Sequence, residues 1–332
     1  MIRWGIMAVG TIAEKFAKTL AAMDSSQTKL VAVASRDMNK AENFAKKYGA
    51  AEFYDSYEKL CQSSNVDIVY ICTPNSMHYE NCITALSAGK NVLCEKPFAT
   101  DAKKAAEVYR FAEEKGLFIM EALWTFHLPL LKRAAEMIQS GIIGDVQFIR
   151  ADYGFIAEGA RRERKFRSEL GGGALLDVGI YNIGFAKMMY GDDPEEIKTN
   201  CILNEYQTDS FGTALARYSG NRLAAMTSAI GIKMNTEGVI YGTKGKIFFP
   251  DHQKAEYMKV ILNDGTEKEY SAPFDITGFE YQISECCDCI ERGLCESPSY
   301  PHIQSINVIK TLDMIRTQWN MKFIVSELNN RT

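Results

Sequence analysis

Asn91-Val92-Leu93-Cys94-Glu95-Lys96-Pro97 decides how this chain is read. Val92 to Cys94 is a short apolar run with the character of a buried strand, and it ends at once in an acid, a lysine and a proline. In an open parallel sheet, ligands gather outside the carboxyl ends of the strands, so Lys96 is placed to point its ammonium into that crevice. Pro97 stops the strand and fixes its own φ, which restrains the lysine before it. A lysine in a loop is otherwise a solvated surface charge. The flanking segments decide between the two.

Upstream, Ile2 to Ala8 is apolar and breaks at Val9-Gly10, and Thr11 to Met23 has helical periodicity through Ile12, Phe16 and Leu20. This strand, turn and helix fit the dinucleotide fingerprint with Ala8 in its first glycine place and Ala13 in its third. Ala8, Val9, Gly10, Thr11 and Ile12 are therefore the expected pyrophosphate cradle. Gly10 lets backbone approach the anion, and the helix from Thr11 offers unpaired N–H groups and the positive end of its dipole. A second strand, Lys29 to Ala34, runs into Ser35-Arg36-Asp37. An acid near this place takes the ribose 2′-hydroxyl of NAD, whereas a 2′-phosphate favours a cation and small polar donors. Ser35 stands where the acid is expected and Arg36 follows it, so NADP is favoured, with NAD possible through Asp37.

The alternation continues with helix Ala41 to Tyr48, strand Glu52 to Tyr54, helix Ser56 to Cys61 and strand Val66 to Cys72. Each strand follows a helix, so the sheet is parallel. Thr73-Pro74-Asn75 and His78 lie at another carboxyl strand end, placed to touch the ribose and nicotinamide half of the cofactor. Helix His78 to Ala88, capped by Gly89, leads into the opening strand. Helix Ala102 to Glu114 and strand Leu117 to Ala122 then complete six strands. Glu95 is expected to support the lysine. Trp124 is expected to wall the cofactor, although an aromatic after a strand is more often packing.

At 332 residues the chain is long enough for two domains. A net charge of −4 supplies no basic field for nucleic acid or an anionic membrane. No apolar run approaches the roughly 20 residues of a membrane span, and the N-terminus lacks a signal peptide's charged region, so a cytoplasmic protein is expected. The 9 cysteines are scattered through apolar segments, as reduced core thiols are. Cys286, Cys287 and Cys289 cluster on an expected helix without a second ligand group at zinc spacing, so no metal is expected.

Ala8 to Ala13, Ser35-Arg36, Thr73-Pro74-Asn75 and Glu95-Lys96-Pro97 together resemble the glucose-fructose oxidoreductase, inositol dehydrogenase and rhizopine catabolism (Gfo/Idh/MocA) family. Arg3-Trp4-Gly5-Ile6, Met120-Glu121-Ala122, Trp124-Thr125 and the run Gly171-Gly172-Gly173-Ala174-Leu175-Leu176-Asp177-Val178-Gly179-Ile180-Tyr181 are most similar to its dihydrodiol and D-xylose dehydrogenase branch. The resemblance covers nearly the whole chain. It implies an NAD(P)-dependent oxidoreductase of two domains, and often a cis bond before the proline matching Pro97. It also implies that Asp177 and Tyr181 match catalytic positions of the dihydrodiol branch, where most relatives have a histidine in place of Tyr181. Branch members place an arginine and an aromatic after the Trp-Thr pair. Here Phe126 and His127 stand instead, which puts any contact made by that arginine in doubt.

From Asp145 the pattern turns to strands, Val146 to Phe155 and then a series between Ile197 and Tyr270, as in a largely antiparallel sheet. Three glycines precede an expected helix from Ala174 to Met189, on which Asp177 and Tyr181 share a face. Carboxylate and phenol are expected to point into the cleft between domains, with helix-dipole and core packing as the bland alternative. Taking hydride from a carbinol carbon requires the hydroxyl proton to leave. A phenol near pKa 10 is a poor base unless a cation favours its phenolate; Tyr181 is the expected acid/base and Lys96 its cation, the two roles being exchangeable, with Asp177 orienting Lys96 or the substrate hydroxyl. Arg161 to Arg167 form a charge-rich loop of the kind that is usually solvated, though placed to cover a cleft. Strands Phe211 to Tyr218 and Leu223 to Ile230 are apolar on both faces, with Phe211, Leu215, Leu223 and Met226 among them, so a homodimer through this sheet is expected.

The fold class that follows is α/β: an N-terminal Rossmann parallel sheet and a C-terminal α+β domain built on an open, largely antiparallel sheet. Domains are expected at 1–123 for the dinucleotide, 124–302 for substrate binding and dimerisation, and 303–332 as a helix, Ile303 to Leu328, packing back. The expected activity is an NADP-preferring oxidoreductase acting on a secondary alcohol or carbonyl of a sugar, polyol or cyclic diol. A glycosidase using transient oxidation and a non-catalytic NADPH-sensing regulator are its rivals. Lys96, Asp177 and Tyr181 are the expected catalytic residues.

Overall fold

The N-terminal apolar run forms the central strand of a parallel sheet in the computed structural model, which describes residues 1–319 and 321. The elements follow in strict alternation: β1 (Ile2–Met7), α1 (Thr11–Ala22), β2 (Thr28–Ala34), α2 (Met38–Tyr48), β3 (Glu52–Tyr54), α3 (Tyr57–Gln62), β4 (Ile68–Ile71), α4 (His78–Ser87), β5 (Asn91–Glu95), α5 (Ala102–Lys115) and β6 (Ile119–Ala122). The six strands lie in the order β3-β2-β1-β4-β5-β6, all parallel. That is the doubly wound order, and the chain reverses direction between β1 and β4. Periodicity starts the second helix at Ala41, whereas α2 begins at Met38. The Asp37 carboxylate accepts the Lys40 N–H at 3.2 Å and caps it.

A second set follows: α6 (Pro129–Gln139), β7 (Val146–Gly154), α7 (Ala160–Phe166), α8 (Ile180–Tyr190), β8 (Glu196–Leu203), β9 (Asp209–Tyr218), β10 (Arg222–Ala229), β11 (Gly238–Gly242), β12 (Gly245–Phe249), β13 (Tyr257–Leu262) and β14 (Glu267–Ser271). Its strands run in the order β14-β13-β12-β11-β7-β10-β9-β8. Only β7 with β10 is a parallel pair; the other pairings are antiparallel. The helix expected from Ala174 instead opens with a wide π-type turn, Leu175–Gly179, that runs into α8. The charge-rich segment is not a loop: Arg167 N–H bonds the Glu163 carbonyl and closes the short α7.

One face of the eight-stranded sheet is open. Arg217 pairs across from Leu223, Leu215 from Ala225 and Lys198 from Leu215. Leu215 is 46% and Leu223 38% exposed, whereas Met226 points the other way and is buried. Phe148, across from Leu223, stacks on Tyr241 at 5.8 Å. The two-faced apolar expectation thus holds only at single positions, because β9 alternates exposed and buried residues over most of its length.

The chain closes with α9 (Glu280–Glu291) and α10 (His302–Gln318). By packing, one compact unit comprises 1–124 with 275–306, and the other 125–274 with the described residues from Asn307 on. Residues 275–302, read above as part of the second domain, therefore belong with the first sheet. Thr277 lies 2.6 Å from Thr19, hydroxyl to hydroxyl, and Tyr300, His302 and Ser305 supply partners to buried polar groups of α5 and β6. The expected last helix stops at Gln318, and 320 and 322–328 of that expectation lie outside the described residues.

Candidate active site

The turn after β1 has the shape an anion requires. Ala8, in the place usually held by glycine, adopts φ 76°, a left-handed conformation that costs a residue with a Cβ about 1–2 kcal/mol. Gly10 caps α1 without a side chain, and a Cβ added there would meet nothing within 4 Å, so the approach to the first N–H groups of α1 is open. Val9 and Gly10 border a groove of about 260 Å³ that Glu14, Lys40, Asn43, Phe44 and Lys47 complete. Ser35 is buried and its hydroxyl accepts the Asp37 N–H at 3.2 Å, while Arg36 is exposed. Asp37 is occupied as the cap of α2, and Lys40 stands 3.7 Å from it. The edge of β2 thus presents Arg36, with Lys40 close to the one acid, Asp37, which caps α2. Lys40 and Asn43, in the first two turns of α2, line this groove and were not singled out by the sequence pattern.

At the end of β4, the Thr73 hydroxyl accepts a hydrogen bond from Asn81 at 2.9 Å, and Pro74 opens a short 3-10 turn, Asn75–Met77. His78 does not face a ligand. Its ring is fully buried, with Nδ1 2.8 Å from the Pro97 carbonyl and Nε2 3.0 Å from the Thr73 carbonyl. Burial lowers the imidazole's pKa, and the hydrogen bonds to both carbonyls oppose that shift. The two strand-end loops are therefore buckled together by His78.

β5 ends in Glu95, and the bond between Lys96 and Pro97 is cis, as the resemblance implies. The Glu95 carboxylate accepts the Tyr70 hydroxyl. Burial raises its pKa, while Tyr70, Lys96 and Lys15 pull it down. The turn carrying Lys96 is anchored just beyond it. Phe98 stacks on Tyr109 at 4.2 Å, Tyr109 stacks on His302 at 4.1 Å, and the Phe98 N–H donates to Glu121 at 2.8 Å. Trp124 is buried, edge-on to Phe279 at 5.2 Å, with the Lys15 ammonium 4.3 Å from its ring. That is a packed setting with a cation, the bland alternative of the sequence. Phe126 and His127 are buried too, in the turn Trp124–His127.

In the second unit, Asp177 lies in the wide turn and Tyr181 opens α8 one turn later. Tyr181 is 8% exposed and its ring lies 6.0 Å from that of Tyr153. Asp177 accepts a hydrogen bond from the Lys165 ammonium, delivered by α7. The helix start is held by Asp209, whose carboxylate accepts the Leu175 N–H at 2.7 Å. Gly173 at φ +117° is obligatory there: a Cβ would come 2.3 Å from an Asp209 oxygen. Lys165 and Asp209 were not singled out by the sequence, where one is a member of a charge run and the other precedes an ordinary strand.

Comparison with known proteins decides the family. Residues 2–123 match the oxidoreductase family with an NAD-binding Rossmann fold, and residues 131–248 match the GFO/IDH/MocA C-terminal domain. The chain belongs to the Gfo/Idh/MocA family. Among its relatives is trans-1,2-dihydrobenzene-1,2-diol dehydrogenase of Danio rerio, 32% identical over 96% of each chain. The Homo sapiens protein of that name is 31% identical over 97% of this chain and 98% of its own. A 3-ketoreductase from Actinomadura kijaniata, solved with TDP-benzene and NADP, superposes with a TM-score of 0.82 at 25% identity, covering 95% of this chain and 97% of its own. An aldose-aldose oxidoreductase from Caulobacter crescentus shares the fold, with a TM-score of 0.86 at 22% identity over 96% and 97% of the two chains.

This Gfo/Idh/MocA oxidoreductase thus carries its cofactor-facing candidates along one sheet edge. Ala8 to Ile12, Ser35-Arg36 and Thr73 to Asn75 follow β1, β2 and β4, and Glu95 ends β5 with Lys96 next, all at the strands' carboxyl ends. Asp177 and Tyr181 share one continuous helical run in the other unit. Among the described residues no helix is long and apolar enough to cross a membrane, and no cluster of three His, Cys, Asp or Glu is arranged for a metal.

Proposed function

We propose that this chain moves hydride between a nicotinamide, NADP in preference to NAD, and the secondary alcohol or carbonyl carbon of a sugar, polyol or cyclic diol. The observation that carries the proposal is the carboxyl edge of the parallel sheet, where the Val9-Gly10 turn, Thr73 to Asn75 and Lys96 follow neighbouring strands across the switch point. Engagement of Asp37 as a helix cap beside Ser35, Arg36 and Lys40 supports NADP. The names of the dihydrodiol relatives and the NADP-bound ketoreductase support the substrate class and the cofactor.

The nicotinamide, when bound, supplies or accepts the hydride. The chain's own side chains handle the proton. Tyr181 is assigned as acid/base at the substrate oxygen, Lys96 as the ammonium that favours its phenolate, and Asp177 as the carboxylate that orients the reacting hydroxyl. Glu95 supports Lys96, and His78 acts only by fixing the loops on either side. Trp124 is kept beside the cofactor on the strength of its place two residues after β6, with Phe279 and Lys15 packed on its ring. We further assign a homodimer through the open sheet face, supported by Leu215, Leu223, Phe148 and Tyr241, and a cytoplasmic location, supported by nine cysteines that are all free thiols.

The test is reduction of NADP+ across a panel of aldoses, inositols and dihydrodiols, followed by Tyr181→Phe and Lys96→Met on the best substrate. Each substitution is expected to lower turnover by about 100-fold or more while NADPH binding stays near wild type. Unchanged turnover in both variants overturns the assignment.

A further inference from the structure

Lys165 sits in a run of charges that on sequence grounds belongs in water, and its neighbours behave accordingly. Arg162 meets Glu205 at 2.9 Å and Arg167 meets Glu163 at 3.6 Å, each pair roughly half exposed. Lys165 and Asp177 are different: their side chains are only 19% and 22% exposed, and the ammonium bonds the carboxylate directly. Charges withdrawn from water to that extent are tolerated when paired and costly when one partner is missing.

The backbone around the pair is built to make it. Gly173 N–H donates to the Lys165 carbonyl at 2.8 Å, and Gly172 N–H donates to the Arg167 carbonyl at 3.0 Å. A Cβ at Gly172 would stand 2.6 Å from the Lys165 carbonyl oxygen, so only glycine lets this segment lie against the start of the Asp177 helix. The Thr208 hydroxyl donates to the Phe166 carbonyl at 2.7 Å, and the adjacent Asp209 accepts the Leu175 N–H. Thr208, just before β9, and Asp209, its first residue, thereby hold Phe166 next to Lys165 and Leu175 two residues before Asp177. The Lys165 ammonium also lies 5.1 Å from the ring of Phe155, which with Tyr153 covers the small core of Ala157, Phe166, Ala174, Val178 and Ile230.

We propose that Lys165 is a positioning residue for the reaction, fixing the Asp177 carboxylate in the pose in which it serves the substrate together with Tyr181. The proposal rests on the roles assigned to Asp177 and Tyr181 above. A lysine that merely braced the fold would change stability. One that poses Asp177 changes turnover through Asp177, and that difference is measurable.

The experiment is a cycle of Lys165→Met, Asp177→Asn and the double variant in the full-length protein, with Lys165→Arg as the conservative control, assayed with NADP+ and the best substrate of the panel. Lys165→Met is expected to lower kcat about 10- to 100-fold, the loss of one charge-assisted hydrogen bond, with KM and NADPH binding little changed. Lys165→Arg is expected to recover most of the loss, and Lys165→Met to add less than about twofold in the Asp177→Asn background. Should Lys165→Met not fold, Lys165→Gln, whose neutral amide removes the charge, takes its place in the cycle. Wild-type kcat in the lysine variant, or losses that multiply in the double variant, overturn the proposal while leaving Tyr181 and Asp177 their roles. Full turnover in both Asp177→Asn and Tyr181→Phe sinks the underlying assignment instead.

Discussion

Glu121 accepts the Phe98 backbone N–H at 2.8 Å through one carboxylate oxygen, and so fixes the turn that carries Lys96. Its other oxygen accepts the hydroxyls of Tyr300 at 2.8 Å and Ser305 at 2.7 Å. Burial raises the pKa of this carboxyl, and the three donors pull it back. A strand-borne acid of the first sheet thus joins the candidate lysine turn to a segment 179 positions later in the chain.

Replacing Glu121 with Ala leaves three buried donors without their acceptor. The expected cost is about 3 kcal/mol, read as a lower urea midpoint, together with a drop in kcat from the loosened Lys96 turn. Glu121→Gln keeps one carbonyl acceptor and should lose less on both counts. An alanine variant as stable as wild type excludes this role for Glu121.

The parallel sheet was legible because its signals are local: each strand is followed by a helix, and the Val9-Gly10 turn carries its own fingerprint. The place of Lys96 just past the end of β5 was legible because charge at the end of an apolar run is rare. The partners of Glu121 were not, since nothing near an acid inside a strand announces a tyrosine and a serine far along the chain. The same distance explains why residues 275–302 read as part of the second domain. His78 was misjudged by position alone, because a histidine at a strand end looks open until the Pro97 and Thr73 carbonyls close on it. Lys165 was hidden among like residues. Only the approach allowed by Gly172 and Gly173 separates it from Arg162 and Arg167.

Arg36 and Lys40 test the cofactor. A 2′-phosphate is the one group that distinguishes NADPH from NADH, and both cations stand at the end of β2 or the start of α2. The Arg36→Ala/Lys40→Ala variant should bind NADPH about 10- to 100-fold more weakly and NADH within about twofold of wild type, as measured by fluorescence titration. Equal weakening of both nucleotides places these cations elsewhere.

Leu215 and Leu223 test the subunit contact. Both stand on the open sheet face, and a carboxylate at either would be costly to bury against a second apolar surface. Leu215→Asp/Leu223→Asp should be monomeric by light scattering at micromolar concentration, where the wild type is expected to be dimeric. A monomeric wild type removes the dimer altogether.

Asp209 gives a pH signature with a definite sign. Burial raises its pKa from 3.8 to about 6, opposed by hydrogen bonds from the Leu175 and Ala174 N–H groups and by the charge of Arg316. The folded protein therefore holds this proton more tightly than the unfolded chain does. The contribution of the group is most favourable below about pH 4 and is lost as pH rises through about 6, by up to about 3 kcal/mol. Asparagine does not titrate, and its carbonyl still accepts the Leu175 N–H. The stability of wild type minus that of Asp209→Asn should accordingly fall between about pH 4 and about pH 6 and then level off. Urea titrations at a series of pH values check this. A difference that grows with pH over that interval would mean that Asp209 ionises readily where it stands, and that donors at the helix start outweigh its burial.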